Sequence, residues 1–180
     1  MKTLYESLLD DFEKLEDSIN PIDEIKKFLK DNYLNFNILK ISKKPNKDGL
    51  YEVDCRKCRL VKVKNNEITS LTNGMFEFVN VENFYCSYCD NLTSIEGAPK
   101  EVKGYFNCSF CNKLTSLDGS PEWVWGNFHC SRCPKLKSLK GGPKSIQGSL
   151  YCYECGKQFT EHDIHNAKIY VEGEINTQNT

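Results

Sequence analysis

Eight of the ten cysteines in this 180-residue chain form four Cys-x-x-Cys pairs that recur every 22 residues. The pairs are Cys86/Cys89, Cys108/Cys111, Cys130/Cys133 and Cys152/Cys155. Two successive pairs match the spacing of a structural zinc site, because tetrahedral zinc is commonly held by two such pairs about 15–20 residues apart. The same thiols also suit a buried structural role, since cysteine is among the most buried residue types and packs as a small hydrophobic residue.

An earlier copy of the repeat contains no cysteine and bears on that choice. Residues 61–71 fit the same pattern, with Val63 and Asn66 where the later copies have their paired cysteines. Neither residue can supply a thiolate to zinc. The period therefore favours a structural ladder of cysteines, and zinc binding remains the alternative. Disulfide bonds are disfavoured, because an extended strand holds the two side chains of a Cys-x-x-Cys pair badly for bridging.

The last cysteine pair opens a segment that looks like the start of a two-histidine zinc finger. Such a finger requires a histidine about twelve residues after the second cysteine. This chain has Lys168 there, whereas His162 and His165 come too early and are interpreted as surface residues. Cys55 and Cys58 fall outside the 22-residue register. They are interpreted as part of a hairpin turn, with a lone zinc knuckle as the alternative.

A fixed repeat period indicates a solenoid, in which each unit buries its apolar side against its neighbours. Side chains alternate across a strand, so one set of repeat positions points inward and the adjacent set lines the concave sheet. The predicted inward residues are Phe84, Cys86, Phe106, Cys108, Leu114, Leu117, Phe128, Cys130, Leu136, Leu139, Leu150 and Cys152. The predicted outward residues are Lys62, Lys64, Tyr85, Ser87, Tyr88, Asn107, Ser109, Phe110, His129, Ser131, Arg132, Tyr151, Tyr153 and Glu154.

Exposed aromatic residues and arginine are typical of interface hot spots, whereas a purely solvated strand face favours lysine and glutamate. The candidate partner-binding residues of the concave sheet are Tyr85, Tyr88, Asn107, Phe110, His129, Arg132, Tyr151 and Tyr153. Trp123 and Trp125 flank Val124 and form a second candidate patch, since both are exposed if the valine points inward. For any single aromatic residue the alternative is a purely structural stack between neighbouring strands.

The segments on either side of the repeats are predicted to cap them. We expect residues 1–58 to form an N-terminal cap of two helices and a β-hairpin, residues 59–159 the repeats, and residues 160–180 a C-terminal cap and tail. The N-terminal elements are amphipathic helices at 3–18 and from Asn20-Pro21 onward, extended segments at 34–42 and 50–54, and a turn at 45–49. At the other end we expect a capping box at 160–163, a final strand at 168–171 and a loose tail at 176–180.

Residues 86–104 match the pattern C-S-x-x-x-L-T-S-L-x-G-A-P-K-x-V-x-G almost throughout. In this they resemble the short, 22-residue leucine-rich repeats that tailed phages and prophages of gut bacteria commonly encode, and the resemblance extends over residues 22–171. It implies an α+β fold, a leucine-rich-repeat solenoid of parallel repeat strands with a helical and β-hairpin cap before it and a short cap after it. It also implies a viral or mobile-element origin, but no known chemistry, because fold does not determine function.

The sequence contains no Gly-rich phosphate loop, no zinc-protease helix motif and no nucleophile elbow, so we expect no enzymatic activity and no cofactor. A net charge of −1 argues against unspecific nucleic-acid binding, although basic residues concentrate between 40 and 64. The lack of a membrane-length apolar run and of a signal-peptide core predicts a cytoplasmic protein. We therefore expect recognition of a protein partner, such as a host antiviral-defence protein. The alternatives are a zinc-stabilised binding module and a virion or assembly component.

Overall fold

Short parallel strands stacked in two sheets form the body of the protein in a computed structural model, which describes residues 20–178. The helix expected at 3–18 lies outside this range. The helical elements are α1 (Pro21–Asn32), a 3-10 helix (Phe36–Ile38) and α2 (Glu161–Asn166). The strands are β1 (Lys40–Ile41), β2 (Tyr51–Asp54), β3 (Val61–Lys62), β4 (Phe76–Val79), β5 (Phe84–Tyr85), β6 (Glu101–Val102), β7 (Phe106–Asn107), β8 (Trp123–Val124), β9 (Phe128–His129), β10 (Ser145–Ile146), β11 (Leu150–Tyr151), β12 (Tyr170–Val171) and β13 (Ile175–Asn176).

Each turn of the solenoid, here called a coil, contributes one strand to a six-strand sheet, and the later coils also contribute one to a four-strand sheet. The six-strand sheet has the order β13-β11-β9-β7-β5-β3 and the four-strand sheet the order β12-β10-β8-β6, with all neighbours parallel. Phe84, Phe106, Phe128 and Leu150 are register partners on successive strands. The expected capped solenoid of parallel repeat strands is therefore confirmed.

The core runs along the solenoid as stacks of equivalent residues. Every residue predicted to point inward is buried. The rings of Phe84, Phe106 and Phe128 are nearly parallel, with centroid separations of 5.6 and 5.2 Å. These separations are close to the spacing of neighbouring strands, which is about 4.8 Å, so each ring packs against the ring of the next coil.

The last glycine of each repeat allows neighbouring coils to approach closely. A Cβ atom at Gly126 would lie 2.7 Å from the carbonyl carbon of Gly104, and one at Gly148 would lie 2.5 Å from that of Gly126. Any side chain would therefore force the backbones apart. The Gly126 N–H donates to the Gly104 carbonyl at 3.0 Å across this contact.

The N-terminal cap covers the first edge of the six-strand sheet. Helix α1 begins as expected, with the Asn20 side chain accepting a hydrogen bond from the Ile22 N–H, and it buries Ile25 and Leu29. Residues 32–34 then run antiparallel to β3, with Tyr33 opposite Val63. The N–H groups of Leu34 and Lys64 donate to Lys62 and Asn32 respectively, so the edge strand is paired.

Three N-terminal expectations need correction. Only Lys40–Ile41 of the segment 34–42 is a strand, because Asn35 adopts a left-handed conformation (φ 59°) and the 3-10 helix follows it. Strand β2 pairs antiparallel with β1, as a hairpin requires, but also parallel with β4, which the sequence analysis did not predict. The tight turn from Cys55 to Cys58 joins β2 to β3 in a different sheet, so it is not a hairpin turn.

The C-terminal cap follows the expected capping box. The Thr160 side chain accepts from the Asp163 N–H, and Asp163 accepts from the Thr160 N–H. Strand β12 extends the four-strand sheet as predicted. The prediction of a loose tail at 176–180 is wrong for Asn176, which lies in β13. The Cys152 N–H donates to the Asn176 carbonyl at 3.0 Å and pairs this residue with β11. The longest helix described has 12 residues, too few to cross a bilayer.

We expect Leu117→Ala to lower the free energy of unfolding by about 2–5 kcal/mol, because Leu117 is fully buried and truncation leaves a cavity. Denaturant unfolding monitored by circular dichroism measures the change. Lys137→Ala, an exposed position in the next coil, is the control and should change the value by less than about 0.5 kcal/mol. A loss equally small for Leu117→Ala would mean that the inward positions are misassigned.

Candidate functional site

The paired cysteines form a ladder inside the solenoid. The second cysteine of a coil donates from Sγ to the carbonyl of the first cysteine one coil earlier, from Cys111 to Cys86 at 3.2 Å and from Cys133 to Cys108 at 3.4 Å. Cys155 repeats the contact in the next coil. All ten thiols are free. A small side chain with a weak donor satisfies a buried carbonyl in a space too narrow for a larger polar group.

The first coil departs from this ladder by one residue. Asn65, rather than Asn66, occupies the place of the second cysteine, because its carbonyl accepts the turn bond from Ile68 N–H as the Cys89 carbonyl does from Leu92. The equivalence expected for Asn66 is therefore wrong, and Asn66 is exposed. The Asn65 Nδ2 donates to Oδ1 of Asn32 at the end of α1. The cap thus supplies the acceptor that a preceding coil would supply.

Burial keeps these thiols protonated. It raises the pKa of Cys89, Cys111 and Cys133 to about 12, and the pKa of Cys86 well above its usual range. A zinc site requires thiolates. Within residues 20–178, no three histidine, cysteine or acidic side chains are grouped so that they could share a metal ion.

The most ordered outward feature of the six-strand sheet is a row that we call the Tyr88 column, made of Tyr88, Phe110, Arg132 and Glu154. These residues have φ values of 63°, 61°, 56° and 52°, a left-handed conformation that places the chain in a bend after each strand. The rings of Tyr88 and Phe110 stack at 4.5 Å. The Arg132 guanidinium lies 5.1 Å from the Phe110 ring centroid, and its Nε donates to Glu154 at 2.7 Å.

A second row, the Tyr85 column, contains Tyr85, Asn107, His129 and Tyr151 on successive strands. All four are half-buried. The His129 and Tyr151 rings stack at 4.3 Å, and burial lowers the pKa of His129, which favours the neutral imidazole. The outward orientation of His129 is as predicted. It is separated from the inward-facing thiols, so it forms no Cys–His pair with them.

Two predicted outward residues are not available at the surface. Ser109 and Ser131 are buried, each directly before a left-handed residue. The Ser131 hydroxyl accepts a hydrogen bond from the Tyr153 N–H of the next coil at 3.2 Å. Tyr153 itself is half-buried, and the guanidinium of Arg132 lies 5.8 Å from its ring centroid.

The four-strand sheet carries a tryptophan patch, made of Trp123, Trp125 and Tyr170. Trp123 and Trp125 are 48 % and 51 % exposed on either side of buried Val124, as predicted. The indole N–H of Trp125 donates to Glu101 at 2.8 Å, and the Lys144 ammonium lies 5.6 Å from the Trp123 ring centroid.

Sequence reasoning did not identify Tyr170 as a member of this patch. Tyr170 aligns with Trp123 through Ser145, the register partner of both. The last coil is lengthened by α2, so a 22-residue period does not place Tyr170 in this column. Its register could have been found only from the pairing of β12 with β10. Tyr105, between β6 and β7, is a further exposed aromatic residue that sequence reasoning did not identify, and it is 47 % exposed.

A groove of about 720 Å³ lies beside the repeat turns. Six serine and threonine residues line it, together with Glu77, Glu96 and Glu122. The ammonium of Lys100 bridges to Glu77 at 3.2 Å on an exposed edge. None of the predicted site residues lines it.

No family model, curated protein or solved structure matches this chain significantly. The surfaces of the solenoid are therefore the basis for assigning a function.

The buried thiols predict a loss of stability in alkali. A thiol whose pKa rises from 9.0 to about 12 on folding retains its proton while the unfolded chain loses it. Its contribution is complete below pH 9 and falls by about 1.4 kcal/mol per pH unit between pH 9 and 12. Denaturant unfolding at several pH values from 8 to 11 measures the slope.

Cys111→Ser is the matched variant, because serine keeps a donor for the Cys86 carbonyl but does not titrate in this range. Other groups that ionise in alkali are unchanged, so the slope should become shallower by about 1.4 kcal/mol per pH unit. An unchanged slope would mean that Cys111 is not protected by burial.

We expect purified protein to hold less than one equivalent of tightly bound zinc and to keep its melting temperature in excess EDTA, because burial keeps the thiols protonated and Cys111, Cys133 and Cys155 already donate to carbonyls. Elemental analysis by mass spectrometry and thermal melting with and without EDTA measure this. Two tightly bound zinc ions per chain would contradict the ladder and favour a zinc-stabilised module.

Proposed function

We propose that this protein acts by non-catalytic recognition of another protein through the outer side of its six-strand sheet. The observation that carries the proposal is the Tyr88 column, in which two stacked rings and an arginine stand in one row on successive coils. Tyrosine and arginine are enriched in interface hot spots. Tyr88 is 54 % exposed, more than the half-buried rings of the Tyr85 column.

The stacking supports recognition because it pre-organises the contact surface. Binding usually costs about 0.5–1.5 kcal/mol for each flexible side chain that becomes ordered. Tyr88, Phe110 and Arg132 are already held against one another, and Arg132 is also held by Glu154. Little side-chain freedom remains to be lost on binding. The column therefore offers a rigid strip rather than a set of mobile side chains.

The resemblance to short leucine-rich repeats of phages supports a more specific role. A phage-encoded solenoid in the cytoplasm of an infected bacterium would act by occupying a surface of a host protein, and a component of antiviral defence is the partner we propose. The chain would then be an inhibitor or modulator without a cofactor. Its solenoid supplies an extended surface for such a contact.

The tryptophan patch is a competing surface for the same function. Tyr170 is 63 % exposed and both tryptophans are about half exposed, so this patch presents more open aromatic area than the six-strand sheet. Each tryptophan nevertheless has a partner within the chain, since Trp125 donates to Glu101 and Trp123 contacts Lys144.

The two surfaces can be separated by mutation. We expect Tyr88→Ala, Phe110→Ala and Arg132→Ala each to weaken partner binding by about 1–3 kcal/mol, because each removes part of one pre-organised strip. The partner is captured from a host lysate on immobilised wild-type protein, identified by mass spectrometry and purified. Isothermal titration then gives its affinity for each variant.

Trp123→Ala and Trp125→Ala test the competing patch in the same titration, and Lys137→Ala is the exposed control. Melting temperatures confirm that each variant is folded. Normal binding by the Tyr88-column variants together with failure of the tryptophan variants would move recognition to the four-strand sheet. Normal binding by both sets would contradict recognition through either surface.

A further inference from the structure

The Tyr88 column begins in the second coil, and the first coil has no residue at the equivalent position. The pairing of Val61 with Phe84 shifts the chain by 23 residues, whereas the turn bonds that match Ile68 with Leu92 shift it by 24. The first coil therefore lacks one residue between Lys64 and Asn65. The residue it lacks is the left-handed one, because no residue from 61 to 68 has a positive φ.

We propose that this vacant position receives an aromatic side chain of the protein partner, which stacks on the open face of Tyr88. The inference rests on the proposed function and names the contact through which it operates. Tyr88 is 54 % exposed, and among residues 20–178 Phe110 is the aromatic residue that stacks on it. The other ring face is turned toward the first coil, where the column has no member.

The spacing of the coils suits such an occupant. Neighbouring strands lie about 4.8 Å apart, and the stacked pairs on this sheet have ring separations of 4.5 and 4.3 Å. A ring placed in the first-coil position would therefore continue the existing stack with the separation that it already has. An offset or parallel pair of this kind adds attraction beyond that of the buried area.

The rim of the vacant position favours an aromatic ring over a guanidinium. Lys62 and Lys64 are exposed beside it, and their ammonium groups form no ion pair with any residue from 20 to 178. Positive charges repel an incoming arginine but are attracted to the face of a ring. Leu34 is 41 % exposed next to Lys62 and adds an apolar edge.

The acidic side chains of this region are already engaged. Glu67 accepts a hydrogen bond from Asn91, and Asp90 accepts one from Asn112, both along the repeat turns. Asn65 is also unavailable, since its side chain donates to Asn32 of the cap. The vacant position is therefore bounded on one side by the Tyr88 ring. Lys62, Lys64 and Leu34 lie at its edge and make that edge cationic and partly apolar.

The experiment uses ¹⁵N-labelled full chain with N-acetyl-tryptophan amide as the probe and N-acetyl-leucine amide as its non-aromatic control. Ring currents from a stacked indole should shift the amide signals of Lys64, Asn65 and Tyr88, and the leucine probe should not. Tyr88→Asn should abolish these shifts, because asparagine tolerates the left-handed backbone but has no ring. Trp123→Ala, on the other sheet, should leave them in place.

A second variant fills the vacant position instead of removing the Tyr88 ring. Insertion of one tyrosine between Lys64 and Asn65 gives the stretch from Val61 to Ile68 the length of the equivalent stretch from Phe84 to Leu92. The insertion should abolish the probe shifts while the protein keeps its fold. Shifts confined to the tryptophan patch would overturn the proposal. So would shifts at Lys64 that survive both variants, or nuclear Overhauser contacts from the Tyr88 ring to residues 1–19 of the same chain.

Different experimental results would contradict this proposal and the proposed function. If Tyr88→Ala weakens the partner but the probe never shifts Lys64 or Asn65, the six-strand sheet recognises its partner without the vacant position. If the probe binds as described but the Tyr88-column variants bind the partner normally, the vacant position exists and the proposed function is wrong.

Discussion

The hydrogen bonds between successive coils are the constraint on which the rest of the structure depends. The N–H groups of Cys86, Cys108 and Cys130 donate to the carbonyls of Asn107, His129 and Tyr151 at 2.8–2.9 Å. This parallel ladder places equivalent residues one strand spacing apart, whatever their side chains. Phenylalanines therefore stack on phenylalanines inside, and cysteines donate to the carbonyls of the preceding coil. The same spacing produces the rings stacked on the outer side of the sheet.

A ladder of this kind has two ends, and the two are built differently. At the first end, Asn32 accepts from the Lys64 N–H with its backbone and from the Asn65 side chain with its own side chain, so one residue of α1 terminates both the strand pairing and the interior ladder. At the last end, β12 and β13 extend the two sheets after α2 has lengthened the coil. The Tyr88 column also has no member at this end, because the first coil lacks the left-handed residue.

Interior and surface have different roles although one ladder arranges both. The thiols are buried, protonated and engaged with carbonyls, which suits a structural role. The outward rings are partly exposed and held against one another. A surface that is rigid before binding loses little entropy on association, and this is the physical reason to place recognition there.

The sequence by itself determined the features that repeat. Phe106, Cys108, Leu114 and Leu117 could be assigned to the interior because a period of 22 residues forces equivalent positions into equivalent environments. The exposure of Trp123 and Trp125 followed from the alternation of side chains around Val124. The N-cap at Asn20 and the capping box at Thr160 were recognisable because they depend on local bonds.

Only the tertiary structure decided where the period is broken. The shift from Asn66 to Asn65, the pairing of β2 with β4 and the inclusion of Asn176 in β13 all depend on which carbonyl accepts a given N–H from a distant part of the chain. Ser109 and Ser131 are buried, whereas Ser87, which also precedes a left-handed residue, is only half-buried. The shortened bend brings Ile68 one residue closer to Val63 than Leu92 is to Cys86. That spacing does not say which residue is missing, whereas the hydrogen-bonding partners of the folded chain do.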